Sequence, residues 1–241
     1  MNIITIIPVR LASTRLPNKP LVDILGQTMT QRVYQKAIQA NIGDVIIACD
    51  GQEIALNAKQ FNATAIITDP NLPSGTDRIF CASQKLTQKY DIIVNLQGDL
   101  PNVDPNIIKK CAQLLIDNDQ FDIATAVTKI NHQEEIDDPN IVKCDFDTTT
   151  NQANYFYRQA KKASDNNYYH HIGIYAYKSS ALEKFVKLPQ SKNEQINKLE
   201  QLRALDNNMK IGVCIVDGNP LSVDTKEDLK KVIESIKNNQ K

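Results

Sequence analysis

The apolar positions of this chain follow one rhythm in its first half and another afterwards. Up to about residue 120, short runs of consecutive apolar residues alternate with stretches whose apolar positions recur every three or four residues. Ile3-Ile4-Thr5-Ile6-Ile7 reads as a strand, and 28–40 carries Val33, Ala37, Ile38 and Ala40 at helical spacing. The same reading predicts strands over 45–49, 64–68 and 92–96, and helices over 51–61, near 77–89 and over 105–117. Asp104 before Pro105 marks the start of that last helix. An Asp side chain caps exposed amides, and Pro lacks the amide that the first turn leaves without a partner. Continuous apolar strands alternating with helices predict a parallel sheet covered on both faces, an α/β doubly wound layout.

After residue 121 the pattern changes, and 122–130, 141–146, 153–158 and 170–177 read as strands with no long helix between them. A small antiparallel subdomain folded onto the edge of the parallel sheet is predicted there. Helices are predicted over 179–187 and 194–206. A strand at 211–216 and a helix at 225–237 are predicted to return to the first layer. The chain is thus expected to be a single domain, 1–241, with one layer from 1–121 and 207–241 and a subdomain from 122–206. The polar stretch 161–168 is expected to be a mobile loop.

Composition narrows the classes of function. Twenty-eight basic and 28 acidic side chains give a net charge of zero. That argues against a general nucleic-acid or anionic-membrane binder, which needs a broad excess of Lys and Arg. Only six of the bases are Arg (Arg10, Arg15, Arg32, Arg78, Arg158, Arg203), so each is a candidate for a role that needs a planar fork. Five dispersed cysteines without a CxxC pair read as reduced thiols in a cytoplasmic protein. The apolar N-terminal run lacks a basic flank and is too short for a signal peptide or a membrane span.

Ligands of doubly wound sheets sit beyond the carboxyl ends of the strands, and four loops there carry chemistry. The loop 8–20 holds Arg10, Arg15 and Lys19 with Ser13 and Thr14, and residues 1–22 contain no acid, a local charge of +3. It has no glycine, so it is neither a Walker A loop nor a dinucleotide fingerprint, but its cations suit a polyphosphate. The alternative is a solvated loop. Pro73-Ser74-Gly75-Thr76-Asp77-Arg78 reads either as a capped helix start or as a backbone cradle for a ligand. Asp99, after an apolar strand and Gly98, is either a turn residue or a Mg²⁺ ligand. Asp224 could supply a second carboxylate, or it or Thr225 could cap the last helix; spacing alone leaves both open. The three histidines form no metal triad, and only one of His170 and His171 can face a given side of a strand.

Together these stretches resemble the 3-deoxy-manno-octulosonate cytidylyltransferase family, the CMP-KDO synthetases. The resemblance rests on IIPVRLASTRLPNKPL (6–21), SGTDRI (74–79), IVNLQGDLP (93–101), DPNIVK (138–143), HHIGIYAY (170–177), KLEQLRAL (198–205) and SVDTKEDL (222–229), which span nearly the whole chain. It implies a fold of the nucleotide-diphospho-sugar transferase type and a Mg²⁺-dependent reaction of CTP with KDO, giving CMP-KDO and pyrophosphate. Carried over by motif, Arg10, Ser13, Arg15 and Lys19 would hold the triphosphate, and Ser74, Gly75, Thr76, Asp77 and Arg78 the cytidine end. Asp99 and Asp224 would hold the metal and, with Lys19, carry catalysis. Gln97, Arg158, His171, Tyr175, Glu200 and Gln201 would line the sugar site. The cationic loop and the two acids are expected to meet only through the metal.

The resemblance further implies a homodimer in a Gram-negative cytoplasm that supplies activated KDO for lipopolysaccharide. Nothing in it implies nucleic acid or membrane insertion. Leu100 stands where the family usually has Glu, Tyr157 replaces a Ser before Arg158, Asn197 sits where a Glu often precedes LEQLR, and the loop 159–169 looks shorter. Three of these departures fall around the implied sugar pocket. A KDO variant such as the 8-amino-8-deoxy sugar is therefore the alternative acceptor, and a silent nucleotide-binding homologue the alternative class.

Overall fold

The computed structural model describes residues 1–159 and 167–238. In chain order the strands are β1 (Ile3–Val9), β2 (Asp23–Ile24), β3 (Gln27–Thr28), β4 (Asp44–Cys49), β5 (Thr64–Ile67), β6 (Ile92–Asn95), β7 (Ile123–Lys129), β8 (Lys143–Asp147), β9 (Gln152–Tyr157), β10 (Tyr169–Lys178) and β11 (Ile211–Ile215). The helices are α1 (Met29–Ala40), α2 (Gln52–Gln60), α3 (Gly75–Gln84), α4 (Pro105–Asp117), α5 (Gln133–Asp137), α6 (Ser179–Lys187), α7 (Lys192–Asn197), α8 (Leu202–Asp206) and α9 (Lys226–Asn238). They form two compact units, Met1–Lys109 with Pro220–Lys241, and Lys110–Asn219.

In the first unit β5, β4, β1 and β6 lie side by side in that order, every pairing parallel. The register sets Ile6 opposite Ile46 on one side and Asn95 on the other. Ile4, Ile6, Ile7, Ile47, Ala48 and Val94 are fully buried, so the strands are covered on both faces and the predicted doubly wound layer is present. Thr28 caps α1, its hydroxyl accepting from the Gln31 amide, and Asn41 ends that helix in the left-handed conformation at φ 50°. A second small core gathers Leu16, Ile24, Met29, Val223 and Val232. It packs the loop after β1, the β2–β3 hairpin and α9 together, which brings the two ends of the sequence to one place.

The second unit is mostly antiparallel, in the order β10, β7, β11, β9, β8, with one parallel pairing between β7 and β11. His170 of β10 also pairs with Lys143 of β8. The predicted antiparallel subdomain is therefore present, with one correction. The strand at 211–216, expected in the first layer, is β11, and it runs between β7 and β9. A short run buried on both faces fits any central sheet position, and apolar periodicity does not name its neighbours.

A second correction concerns 194–206, predicted as one helix. It is split into α7 and α8, with Lys198 left-handed at φ 54°. Glu194 and Arg203, nine residues apart, would project from opposite faces of a continuous helix at about 100° per residue. The break lets them meet: Arg203 donates to both Glu194 oxygens at 2.8 and 2.5 Å, in a pair less than a tenth exposed. The Arg203 guanidinium also lies 4.7 Å from the centre of the Phe185 ring. The expected mobile loop at 161–168 falls mainly on 160–166, outside the described residues.

Candidate active site

The loop after β1 is held by its own sequence. The Leu11 amide donates to the Asp50 carboxylate at 3.1 Å, and the Leu16 amide to Ser13 Oγ at 3.3 Å. Leu16 is buried, and Asn18 adopts a left-handed conformation that starts the turn Lys19–Leu21. That turn aims Lys19 at two acids. Its Nζ donates to Asp99 Oδ2 and to Asp224 Oδ1, each at 3.0 Å, and Arg15 reaches the other Asp224 oxygen at 3.1 Å. Burial alone would lower the Lys19 pKa, but the charges of Asp99 and Asp224 and their hydrogen bonds outweigh it and raise the pKa above the ordinary lysine value. The cationic loop thus meets both carboxylates directly, which corrects the expectation that only a metal would join them.

Two local devices bring the carboxylates there. A Cβ on Gly98 would lie 2.9 Å from the Pro8 carbonyl oxygen, so only Gly lets the Asp99 loop pass this close to the end of β1. The Val223 amide donates to the Asp99 carbonyl at 3.0 Å, which ties the two acidic loops by their backbones. The cap of α9 is also settled. The Asp228 amide donates to Thr225 Oγ1 while the Asp228 carboxylate accepts from the Thr225 hydroxyl and from the amides of Asp224 and Thr225. Thr225 and Asp228 do the capping, and the Asp224 side chain is left to face Lys19 and Arg15.

The helix α3 begins with a similar reciprocal cap. Ser74 Oγ accepts from the Asp77 amide at 3.1 Å and its hydroxyl donates to the Asp77 carboxylate at 2.7 Å. Gly75 leaves this helix start open toward Pro8 and Gln97. Arg78 is 3% exposed; it donates to Thr68 Oγ1 at 2.6 Å and to the Asp69 carbonyl at 3.2 Å, which fixes the face it presents. Gln97 is oriented by donation from Nε2 to Asn95 Oδ1.

These elements surround a cavity of ≈ 260 Å³ whose lining includes Arg10, Lys19, Ser74, Gly75, Arg78, Gln97, Asp99 and Asp224. Of the other residues expected to hold the nucleotide, Arg15 and Ser13 stand in the adjoining loop, Asp77 serves the cap and Thr76 is 2% exposed. Sequence reasoning passed over Pro8, Pro20, Met29, Leu72 and Pro73, which supply apolar wall, and Asp50, which anchors the loop. Asp50 carried a usable signal, since it follows a buried strand just as Asp99 does.

The remaining expected site residues belong to the second unit. Arg158 donates to three backbone carbonyls, of Asn197, Pro139 and Lys198, at 3.2–3.3 Å. His171 is buried, bonded through Nε2 to Thr125 Oγ1 at 2.9 Å, with its ring 5.0 Å from Phe156 and 5.4 Å from Tyr175. Burial, helped by the charge of His170, pushes its pKa down to about 3, so the ring is neutral at physiological pH. Tyr175, also desolvated, has its phenol raised well above the usual value. Gln201 is 7% exposed, and Glu200 lies 3.8 Å from Arg203. Leu100 is buried at 6% exposure.

The sequence profile of the cytidylyltransferase family matches residues 4–211. A 3-deoxy-manno-octulosonate cytidylyltransferase of Paramagnetospirillum magneticum is 44% identical over 234 residues, 95% of each chain. One from a Bradyrhizobium species is 45% identical over 233 residues, 95% of this chain and 94% of its own. Among solved structures, a CMP:2-keto-3-deoxy-manno-octonic acid synthetase complexed with CTP superposes with a TM-score of 0.93 at 34% identity, covering 99% of this chain and all of that one.

Proposed function

From the premise that the chain belongs to the 3-deoxy-manno-octulosonate cytidylyltransferase family, we propose that it transfers CMP from CTP to KDO and releases pyrophosphate. The observation that carries this reading is the convergence of Lys19, Asp99 and Asp224 at a cavity that Arg10 and the start of α3 also line. In the reaction the anomeric hydroxyl of the sugar attacks the α-phosphorus, and pyrophosphate departs in line. Such displacements need positioning and charge compensation more than covalent help from the protein.

Each residue then has a task. Arg10, Arg15 and Lys19, with the Ser13 hydroxyl, hold the triphosphate and offset the charge that grows on the leaving pyrophosphate. Ser74, Gly75 and Arg78 hold the cytidine end, while Thr76 and Asp77 shape the helix start. Arg158, Tyr175, Glu200 and Gln201 of the second unit recognise the sugar acid. His171 serves that group as a neutral, buried support for the Tyr175 ring.

The donor set suits a magnesium ion. Two carboxylates that share one ammonium offer hard oxygens, and those oxygens lie no more than 6.0 Å apart, the sum of two 3.0 Å contacts. Among the described residues no larger group of His, Cys, Asp and Glu gathers, so a cation held by Asp99 and Asp224 keeps room for water and phosphate, as Mg²⁺ prefers. Mg²⁺ bound there supplies charge neutralisation at the α-phosphate and a lower pKa for the attacking hydroxyl.

We place the enzyme, as a homodimer, in the cytoplasm of a Gram-negative cell on the route to lipopolysaccharide. Five free thiols favour a reducing compartment, and among the described residues no helix is long and apolar enough to cross a membrane. Pyrophosphate release from CTP, measured with KDO, with 8-amino-8-deoxy-KDO and with neither sugar, tests the reading. Release that depends on KDO is expected. Preference for the amino sugar reassigns the acceptor, and no release with either sugar overturns the enzyme reading.

A further inference from the structure

Two of the five cysteines touch. Cys111 of α4 and Cys214 of β11 place their sulfurs 3.8 Å apart, in a weak thiol–thiol hydrogen bond between residues 103 positions apart in the chain. Cys49 and Cys144, by contrast, aim their sulfurs at backbone carbonyls of Gly51 and Asp145. The two elements are also held together beside the contact, where Lys110 donates to the Ile215 carbonyl at 3.3 Å. Cys111 is fully buried, whereas Cys214 is partly open to solvent.

We propose that Cys111 and Cys214 are an oxidation site for a hydroperoxide, closing to a disulfide that links α4 to β11. The two thiols are chemically unequal in a way that suits such a reaction. The hydrogen bond from Cys111 and the nearby Lys110 charge hold the Cys214 thiol below its ordinary pKa against the effect of burial. The same contact, together with burial, pushes Cys111 well above its own. Cys214, the more acidic and more accessible sulfur, attacks the peroxide O–O bond and becomes a sulfenic acid as one water leaves. Cys111 then attacks the Cys214 sulfur, the S–S bond forms, and a second water leaves. Two thiols and one hydrogen peroxide thus give one disulfide and two waters, and the two electrons lost by sulfur reduce the peroxide. Closure from 3.8 Å to the bonded distance of about 2.0 Å requires side-chain rotation and a small approach of α4 to β11.

The test is treatment of the whole protein with hydrogen peroxide, followed by denaturing thiol titration, intact mass and peptide mapping. Titratable thiols should fall from five to three, the mass should drop by about 2 Da, and the cross-linked peptides should be those of Cys111 and Cys214. Dithiothreitol should restore all five thiols. In Cys111→Ser the reaction should stop at a sulfenic acid on Cys214 that dimedone traps, and Cys214→Ser should give neither that sulfenic acid nor the cross-link. A treated wild-type protein that keeps its thiols, pairs other cysteines, or gathers sulfinic acid at Cys214 without the cross-link overturns the proposal. The wild-type mapping decides the matter even where a variant folds poorly.

Discussion

Replacing Lys19 by Met keeps most of the side-chain volume and removes the charge that both acids share. At 3.0 Å each contact is worth about 1.4 kcal/mol in water and about 5.5 kcal/mol at an effective dielectric of 20. The Lys19 side chain is 17% exposed, but Asp99 and Asp224 are 29% and 39% exposed, which pulls the net value toward the screened limit. Removal also leaves two carboxylates facing each other. A loss of about 1–3 kcal/mol is expected at low salt, or about 3–10 °C in Tm for a chain of this size. Added Mg²⁺ should raise the Tm of Lys19→Met more than that of the wild type, because no ammonium then competes for the same oxygens. Initial rates should show a KM for CTP raised at least about tenfold at low salt, and by less at high salt, where the wild-type contact is itself screened. Equal stability with and without Lys19 at low salt, or a change confined to the KM for the sugar, would refute the assignment.

Three further outcomes are open to simple measurement. Asp99→Asn should reduce kcat by about a thousandfold or more while the circular dichroism spectrum stays unchanged, because the side chain holds charge at the cavity and packs no core; near-normal turnover would mark Asp99 as structural. His171 has a folded pKa of about 3, below the ordinary value of about 6.5. Its contribution is full above pH 6.5 and is lost as pH falls from there toward 3, because the unfolded chain binds the proton first. His171→Gln should flatten that part of the pH–stability profile, and an unchanged slope would place its origin elsewhere. Glu194→Gln should cost about 3 kcal/mol in denaturant unfolding, the low end for breaking a buried pair, because it removes the carboxylate that takes both Arg203 bonds and leaves the more distant Glu200 at 3.8 Å; a loss below about 1 kcal/mol would contradict the burial argument.

The parts of the molecule that periodicity expresses could be read from the chain. The parallel strands of the first unit and the helices α1, α4 and α6 lie within a residue or two of their predicted bounds, because burial on both faces or on one stripe leaves a direct mark in the sequence. The β2–β3 hairpin carries no such mark, with only two residues per strand. The neighbours of β11 and the break at Lys198 are decided by contacts distant in sequence, and local pattern is blind to those. The same limit governed the cavity. The candidate cations and acids stood out by type and by loop, but the direct Lys19 contacts depend on a turn and a glycine whose effect is visible only in three dimensions. Asp224 shows the point most clearly: spacing left it open as a cap, and the side chains of Thr225 and Asp228 excluded that.

The bond between the Val223 amide and the Asp99 carbonyl has a bearing on how the protein is made. Lys19 and Asp224 are 205 positions apart, so at about 5–20 residues per second the ribosome adds the second acid roughly 10–40 s after the lysine. Throughout that interval a nascent chain can hold the cationic loop and Asp99 but not the completed cluster. A product truncated before residue 220 likewise lacks Asp224 and the whole of α9. The charge cluster of Lys19, Asp99 and Asp224 is therefore completed only with the last tenth of the chain.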